Sequence, residues 1–162
     1  MRPARLMLLR STCIHGGPER VIIGFARRLN PEAFDPIVVA FAEDLPEGNP
    51  FLRAAAVSGL KSAVLEAGGG FDRDAAQRLT NLARDLEIDL LCPQDYRANF
   101  YAISAGKRLG VPVVATVHGY TRQTPKVRIY EVLDRIILRR ADAVICVSER
   151  LRSHLRRCGV PD

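Results

Sequence analysis

LMLLRSTCIHGGPERVIIGFARRL, residues 6–29, contains a short apolar run, a pair of glycines and a pattern of helical period. Apolar residues recur at helical spacing after the glycines, which predicts a helix over 18–29. The apolar run before them predicts a strand over 6–9. The stretch is therefore interpreted as a strand, a turn and a helix, the first unit of an α/β protein.

The glycine pair lies where the predicted strand meets the predicted helix. Gly17 suits the N-cap of the helix, and Pro18 then takes the first helical position, where its missing N–H costs nothing. Glu19 in the first turn suits the positive end of the helix dipole. Because Gly16 and Gly17 carry no side chains, a phosphate could approach the backbone N–H groups there. The alternative is a tight turn that binds no ligand.

Composition bounds the class of protein. The 162 residues have the size of one domain, and the apolar content is ordinary for a globular protein. No apolar run is long enough to span a bilayer, and Arg10 interrupts the first run too early for a signal peptide. The cysteines lack C-x-x-C spacing, which favours reduced, mostly buried thiols in a cytoplasmic protein and argues against a zinc site. They are Cys13, Cys92, Cys146 and Cys158.

Positive charge is concentrated near the end of the chain. Nearly all of the net charge of +6 lies between residues 126 and 157, a segment that contains nine basic and four acidic residues. Such a surface can meet nucleic acid, anionic lipid or a phosphorylated substrate. Only Tyr130 lies among these arginines as an aromatic residue, so no nucleic-acid partner is expected. The alternative is a pair of solvated helix faces.

Predicted strands and helices alternate throughout. The strands are predicted at 6–9, 36–41, 62–65, 88–93, 111–117 and 143–147. Asp72 or Asp74 is expected to cap the third helix, Gly110 to end a helix over 99–109, and Ser148 to cap the last helix. The helix over 126–140 is predicted to be amphipathic, with an apolar face formed by Ile129, Leu133, Ile136 and Ile137.

Alternation without hairpin signals predicts a Rossmann-like, doubly wound parallel sheet in a three-layer sandwich, a single domain over 1–162. Ligands of such sheets bind outside the carboxyl ends of the strands. That rule selects three groups of residues, which are His15-Gly16-Gly17, Gln94-Asp95-Tyr96-Arg97 and His118-Gly119-Tyr120. His15 itself is expected to be structural only.

Four motifs in order carry a resemblance to a known family. They are GGPER (16–20), GVPVVATVHG (110–119), ADAVICVSE (141–149) and GVP (159–161). Together they resemble the N-terminal domain of GT-B glycosyltransferases of the group one, or family four, type. That family includes glycogen, sucrose and bacterial mannosyl transferases. The resemblance covers almost the whole chain.

The resemblance implies two Rossmann-like domains facing a cleft. The N-terminal domain binds the acceptor, and the C-terminal domain binds the nucleotide-sugar and carries two glutamates eight positions apart. That second domain is expected to be absent from this chain, so the fragment alone is expected to be inactive. Most relatives are hexosyltransferases that retain anomeric configuration and need neither metal nor cofactor, with the nucleotide-sugar as co-substrate. The acceptor would be a glycan, a lipid or a small molecule.

By likeness, Gly16 and Gly17 would lie against the donor diphosphate, and His118 near the transferred sugar as the catalytic candidate. Backbone N–H groups and a helix dipole suit a leaving group that gains negative charge. After the fourth strand, where relatives often have histidine, this chain has a different sequence, so acceptor contacts do not carry over. Cleft-lining acceptor contacts are proposed from position alone, at Gln94, Asp95, Arg97 and Tyr120.

Two further possibilities follow from the residues. The basic helix over 126–140 could touch anionic lipid, which would place a cytoplasmic protein peripherally at the inner membrane face. A different class of protein is a non-catalytic Rossmann-like module that binds a nucleotide or a sugar phosphate. An NAD-dependent dehydrogenase is disfavoured, because no G-x-G-x-x-G follows the first strand.

Overall fold

The computed structural model describes residues 2–12, 14–42, 48–68, 72–120 and 124–161, with Lys126 described by its backbone alone. Within these ranges the strands are β1 (Ala4–Arg10), β2 (Phe34–Phe41), β3 (Lys61–Leu65), β4 (Leu90–Pro93), β5 (Val114–Val117) and β6 (Ala143–Cys146). The helices are α1 (Gly17–Ala26), α2 (Pro50–Val57), α3 (Ala75–Asp85), α4 (Tyr96–Leu109), α5 (Pro125–Leu138) and α6 (Glu149–Arg157). None of these helices combines the length and the apolar character needed to cross a membrane.

All described strands run parallel, in the order β3-β2-β1-β4-β5-β6. The first four are hydrogen-bonded neighbours, as are β5 and β6, and a parallel bridge between Leu91 and Val113 joins the two groups. Leu8 of β1 lies opposite Val38 of β2 and Cys92 of β4. The chain first extends the sheet on one side of β1 and then on the other. The order therefore reverses between β1 and β4, the switch point where such sheets bind ligands.

Helices cover both faces of this sheet. On one face, Ile22 of α1 and Phe51 of α2 pack with Leu8. On the other face, Tyr101 of α4 packs into a larger core that includes Leu9. Successive side chains of β1 thus enter opposite cores, which explains its continuous apolar run. Each such buried side chain contributes about 1.5–3 kcal/mol relative to exposure. The predicted doubly wound, three-layer sandwich is confirmed.

The start of α1 differs from the prediction by one residue. Gly16, rather than Gly17, is the N-cap, so Pro18 falls one position after the predicted site and Glu19 is the third helical residue. The Glu19 carboxylate accepts a hydrogen bond from the Gly16 N–H at 2.9 Å. This is the acidic half of a capping box, and it fixes where the helix begins.

The start of α4 differs by three residues. The predicted helix began at 99, but Asp95 accepts hydrogen bonds from the N–H groups of Arg97 and Ala98 at 3.1 and 3.0 Å. Capping by this aspartate starts the helix at Tyr96. At the other end, Gly110 takes a left-handed conformation with φ 67°, as predicted for the residue that closes the helix.

Other boundaries shift modestly. Asp74 occupies the N-cap of α3 without capping it through its side chain. Asp72 instead accepts hydrogen bonds from the N–H groups of Gly68 and Asp74. β5 begins at Val114, later than predicted, and α1 ends at Ala26, earlier than predicted. Such shifts are common, because helix and strand ends are the least specified part of a sequence pattern.

The orientation of α5 contradicts its predicted apolar face. Three of the four predicted face residues are exposed, and together with Val132 they form a strip that we call the α5 apolar row: Ile129, Val132, Leu133 and Ile136, each 47–60% exposed. Of the four predicted face residues, only Ile137 packs against the core. The inward row is spaced at helical intervals and contains Glu131, Asp134 and Leu138, all buried. Asp134 turns inward where Asn99 of α4 and Tyr120, which follows β5, donate hydrogen bonds to it.

The described cysteines are free thiols, as predicted. Cys92 is buried in β4, and burial raises its pKa to about 12, so it stays protonated. Cys146 and Cys158 are half-buried. Cys13 lies outside the described residues.

Candidate functional site at the switch point

A cavity of about 500 Å³ opens at the carboxyl ends of β1, β4 and β5. Its walls come from those strand ends, from Pro18 at the start of α1, and from the facing sides of α4 and α5. The polar residues that line it are Arg10, Gln94, Asp95, Tyr96, Asn99, Thr116, His118, Tyr120, Glu131 and Asp134. Its size falls within the range of about 300–1,000 Å³ typical of small-molecule sites.

The turn before α1 is held by a buried ion pair. Nε of Arg10 donates to Oε1 of Glu19, and the side chain of Glu19 is fully buried. Thr12 donates its hydroxyl to the same oxygen at 2.8 Å. Burial acts to raise the pKa of Glu19, but hydrogen bonds from Arg10, Thr12 and the backbone outweigh it and lower the pKa to about 2. Glu19 is therefore ionised under all physiological conditions.

This pair changes the roles of the two predicted glycines. The N–H of Gly16 is already committed to the Glu19 carboxylate. A Cβ at Gly16 would lie 3.2 Å from that carboxylate, whereas a Cβ at Gly17 would meet no atom within 4 Å. Open approach for an external anion therefore exists at Gly17. Pro18, the next residue, lines the cavity.

Arg10 also ties β1 to β4. Its guanidinium donates to the backbone oxygen of Gln94 at 2.9 Å. Asp95 accepts hydrogen bonds from the N–H and hydroxyl of Ser11 at 2.7 and 2.8 Å, in addition to capping α4. The carboxylate of Asp95 thus positions the strand ends and the start of α4. Asp95 also lines the cavity.

His118 is oriented by Gln94. Nε2 of His118 lies 3.0 Å from Oε1 of Gln94. The amide nitrogen of Gln94 faces the carbonyl of Cys92 and the hydroxyl of Thr116. That assignment leaves the amide oxygen as an acceptor, so His118 donates from Nε2 and its Nδ1 is an acceptor. Burial, followed by the charge of Arg10, lowers the pKa of His118, and the neutral form dominates near pH 7.

A second polar group connects α4, α5 and the end of β5. Nδ2 of Asn99 donates to Oδ1 of Asp134 at 2.7 Å, and the hydroxyl of Tyr120 donates to Oδ2 at 2.9 Å. Burial raises the pKa of Asp134, although both hydrogen bonds act to lower it. Burial and the charge of Asp134 raise the pKa of Tyr120. Arg135 lies over the Tyr120 ring, 5.4 Å from its centroid.

Asn99 has one unmet hydrogen-bond requirement. The residue is 1% exposed, and its Oδ1 has no hydrogen-bond partner in the described structure. An unpartnered buried acceptor costs about 1–3 kcal/mol. Sequence reasoning missed Asn99, Glu131 and Asp134. The available signal was the inward helical spacing of the two acids, which the stronger apolar periodicity of α5 obscured.

Three of the four predicted acceptor residues line the cavity, namely Gln94, Asp95 and Tyr120. Arg97 does not. Its guanidinium donates to the backbone oxygen of Gly68 and lies over the Phe41 ring, 4.8 Å from the centroid. The early start of α4 places Arg97 in the first helical turn, directed toward β2 and away from the cavity. His15 is exposed, and the cavity walls do not include it.

The strand order and the polar cavity at its switch point define a Rossmann-like domain with a candidate ligand site. Residues 15–162 match the family model described as Glycosyltransferase Family 4, and the chain therefore belongs to that family. No curated protein gives a significant sequence match.

Several solved structures share the fold. HepE from Anabaena, in complex with UDP and glucose, matches with a TM-score of 0.75 and 17% identity, over 96% of this chain and 41% of that chain. Sucrose-phosphate synthase from Thermosynechococcus elongatus matches with a TM-score of 0.68 and 13% identity, over 97% of this chain and 45% of that chain. MurG from Acinetobacter baumannii matches with a TM-score of 0.64 and 13% identity, over 89% of this chain and 41% of that chain. This chain thus spans less than half the length of each.

Proposed function

We propose that this chain is the acceptor-side domain of a glycosyltransferase. The whole enzyme would transfer a hexose from a nucleotide-sugar to an acceptor, with retention of anomeric configuration and without a metal ion or cofactor. The observation that carries the proposal is a single cavity that both the start of α1 and His118 line. Family membership supports it, as does the binding of UDP and glucose by HepE.

The start of α1 suits the leaving diphosphate. Gly17 is open to an approaching anion, and a helix N-terminus stabilises negative charge without reorganising during the reaction. The Gly16 N–H already donates to the Glu19 carboxylate, so in this proposal Gly16 shapes the turn while Gly17 faces the diphosphate. Both predicted glycines keep a role, but only one offers a backbone donor.

His118 suits a contact to the transferred sugar. Because Gln94 holds Nε2 as a donor, neutral His118 offers Nδ1 as an acceptor for a sugar hydroxyl. Its lowered pKa keeps that lone pair available near neutral pH. In this proposal Gln94 is a positioning residue that sets the tautomer, and His118 is the residue that touches the substrate.

Catalysis by this proposal needs a second, donor-binding domain outside the 162 residues. Titration calorimetry of this chain with UDP-glucose and other nucleotide-sugars should therefore give no measurable heat of binding. The same nucleotide-sugars should support transfer by the full-length gene product that contains the chain, and a chelator should not abolish it. Tight donor binding by the chain alone would instead favour the non-catalytic binding module.

We further propose that the enzyme is cytoplasmic and touches an anionic membrane through α5. The α5 apolar row is exposed, and the exposed arginines Arg128, Arg139 and Arg140 lie on the same helix or directly after it. An apolar strip beside cationic side chains suits the surface of an acidic bilayer. Each arginine near such a surface contributes about 1 kcal/mol.

Vesicle sedimentation tests this contact. The chain should pellet with vesicles that contain phosphatidylglycerol and remain in solution with pure phosphatidylcholine vesicles. Leu133→Asp should abolish pelleting, whereas Val57→Asp, at an exposed apolar residue of α2, should not. Absence of pelleting, or equal pelleting of both variants, would show that the row serves another purpose, such as contact with another part of the protein.

A further inference from the structure

The part of the cavity wall formed by Asn99, Tyr120 and Asp134 offers a ligand hydrogen-bond acceptors. Asp134 receives one hydrogen bond at each carboxylate oxygen, from Asn99 and Tyr120. Each oxygen has a further lone pair. Oδ1 of Asn99 is buried without a partner.

The cationic side of the cavity is already occupied. Among the described residues that line the cavity, Arg10 is the one arginine or lysine. Its guanidinium is paired with Glu19 and donates to the backbone of Gln94, and it lies 3.8 Å from Asp95. The chain as a whole carries a charge of +6, yet the described residues that line the cavity include three acids, Asp95, Glu131 and Asp134, and one arginine.

We propose that the Asn99–Tyr120–Asp134 group is a subsite for an acceptor that presents hydrogen-bond donors and no negative charge, namely the hydroxyl or amino groups of an unphosphorylated sugar. This inference rests on the proposed function and specifies its acceptor. Sugar hydroxyls that reach this group would donate to Asn99 Oδ1 and to the carboxylate of Asp134. A phosphate or carboxylate there would meet the buried carboxylate of Asp134, and juxtaposed like charges strongly disfavour a partner.

Binding of three sugars of similar shape to the wild-type chain tests the proposal. NMR titrations of the labelled chain would use methyl glucoside, glucosamine and glucose 6-phosphate. Methyl glucoside and glucosamine should shift the side-chain amide of Asn99. Glucose 6-phosphate should bind at least about tenfold more weakly, because its charge opposes that of the site. Tightest binding by glucose 6-phosphate, or shifts that avoid Asn99, would overturn the proposal.

Two variants locate the selectivity. Asp134→Asn removes the charge while keeping the shape, and it should reduce the discrimination against glucose 6-phosphate by about tenfold. Asp85→Asn, at an exposed position of α3, should leave all three titrations unchanged. Tyr120→Phe removes one hydrogen bond to Asp134 with little change of volume and should weaken binding of methyl glucoside. Unchanged discrimination in a folded Asp134→Asn chain would contradict the subsite.

These outcomes are separable from the proposed function. If none of the three sugars shifts the Asn99 amide, the subsite is refuted, while transfer by the full-length gene product still tests the glycosyltransferase assignment. Conversely, selective sugar binding without transfer would support the subsite and count against the enzyme.

Discussion

Nε2 of His118 donates to Oε1 of Gln94 across 3.0 Å, and Gln94 is itself fixed by Thr116 and the backbone of Cys92. One strand end therefore sets the tautomer of a histidine on the neighbouring strand end. The imidazole is half-buried, and this burial lowers its pKa.

The pKa of His118 is expected to lie below its ordinary value of 6.5, mainly because the imidazole is buried. Gln94→Glu places a carboxylate beside Nε2 and should raise that pKa by about 1 unit or more. Gln77→Glu, at an exposed position of α3, should leave it unchanged. Imidazole carbon resonances recorded against pH measure both variants, and an unmoved His118 pKa in Gln94→Glu would contradict the contact.

The same lowered pKa makes folding stability depend on pH. The unfolded chain binds a proton at His118 more readily than the folded chain. Stability from this residue is therefore complete above pH 6.5 and declines as the pH falls through the folded pKa. Urea unfolding between pH 5 and about pH 7 should show this decline, and the difference should vanish in His118→Gln.

The buried Arg10–Glu19 pair is expected to be costly to break. Glu19→Gln leaves the Arg10 charge buried without its main partner and should destabilise the fold by about 3–5 kcal/mol. Glu32→Gln, at an exposed residue, should change stability by less than about 0.5 kcal/mol. Urea unfolding at pH 7 measures both, and equal effects would show that the pair is not buried as described.

Glu19 should also contribute to acid denaturation. Its pKa is lowered from 4.5 to about 2, so its stabilising effect is complete above pH 4.5 and is lost as the pH falls toward 2. Acid unfolding monitored by circular dichroism should shift to higher pH in Thr12→Val, because one hydrogen bond to the carboxylate is removed. A midpoint at or below that of the wild type would contradict this contribution.

The orientation of α5 predicts opposite outcomes for two leucines. Leu138 is fully buried, and Leu138→Ala should cost about 2–5 kcal/mol. Leu133 is 49% exposed, and Leu133→Ala should cost less than about 1 kcal/mol. Thermal unfolding of the two variants compares them directly. A larger loss for Leu133→Ala would mean that the helix turns its apolar row inward after all.

Gly106 marks the close approach of α4 to the segment just before β5. A Cβ there would lie 2.5 Å from a methyl of Val113 and 2.8 Å from the Val111 carbonyl. Gly106→Ala should therefore destabilise by about 1–3 kcal/mol despite better helix propensity. Gly24→Ala in α1 meets only the flexible end of Arg28 and should be neutral or stabilising by up to about 1 kcal/mol. Equal effects in thermal unfolding would refute this packing.

Sequence patterns predicted the sheet because each strand of a parallel α/β core is apolar on both faces. Leu8 and Val38 illustrate this, since both are buried against helices. The carboxyl-end rule also found Gln94, His118 and Tyr120, because it depends on topology rather than on side-chain detail. These parts follow from burial and chain order alone.

The remaining parts of the site depend on tertiary partners that no local pattern contains. Asp134 turns inward because Asn99 and Tyr120 pair with it, which overrides the apolar periodicity of α5. Arg97 misses the cavity because capping by Asp95 starts α4 early. Gly16 loses its free N–H to Glu19. In each case, a polar contact decided an orientation that hydrophobic spacing could not specify.

The most direct test of the central proposal is sugar transfer by the full-length gene product, measured with a panel of nucleotide-sugars in the wild type, His118→Ala and His15→Ala. His118→Ala should lower kcat/KM by roughly 10- to 100-fold, the effect of one buried hydrogen bond to the transferred sugar. His15 is exposed, and His15→Ala should retain full activity. A kcat/KM for His118→Ala equal to that of the wild type, or no transfer from any nucleotide-sugar, would contradict the assignment.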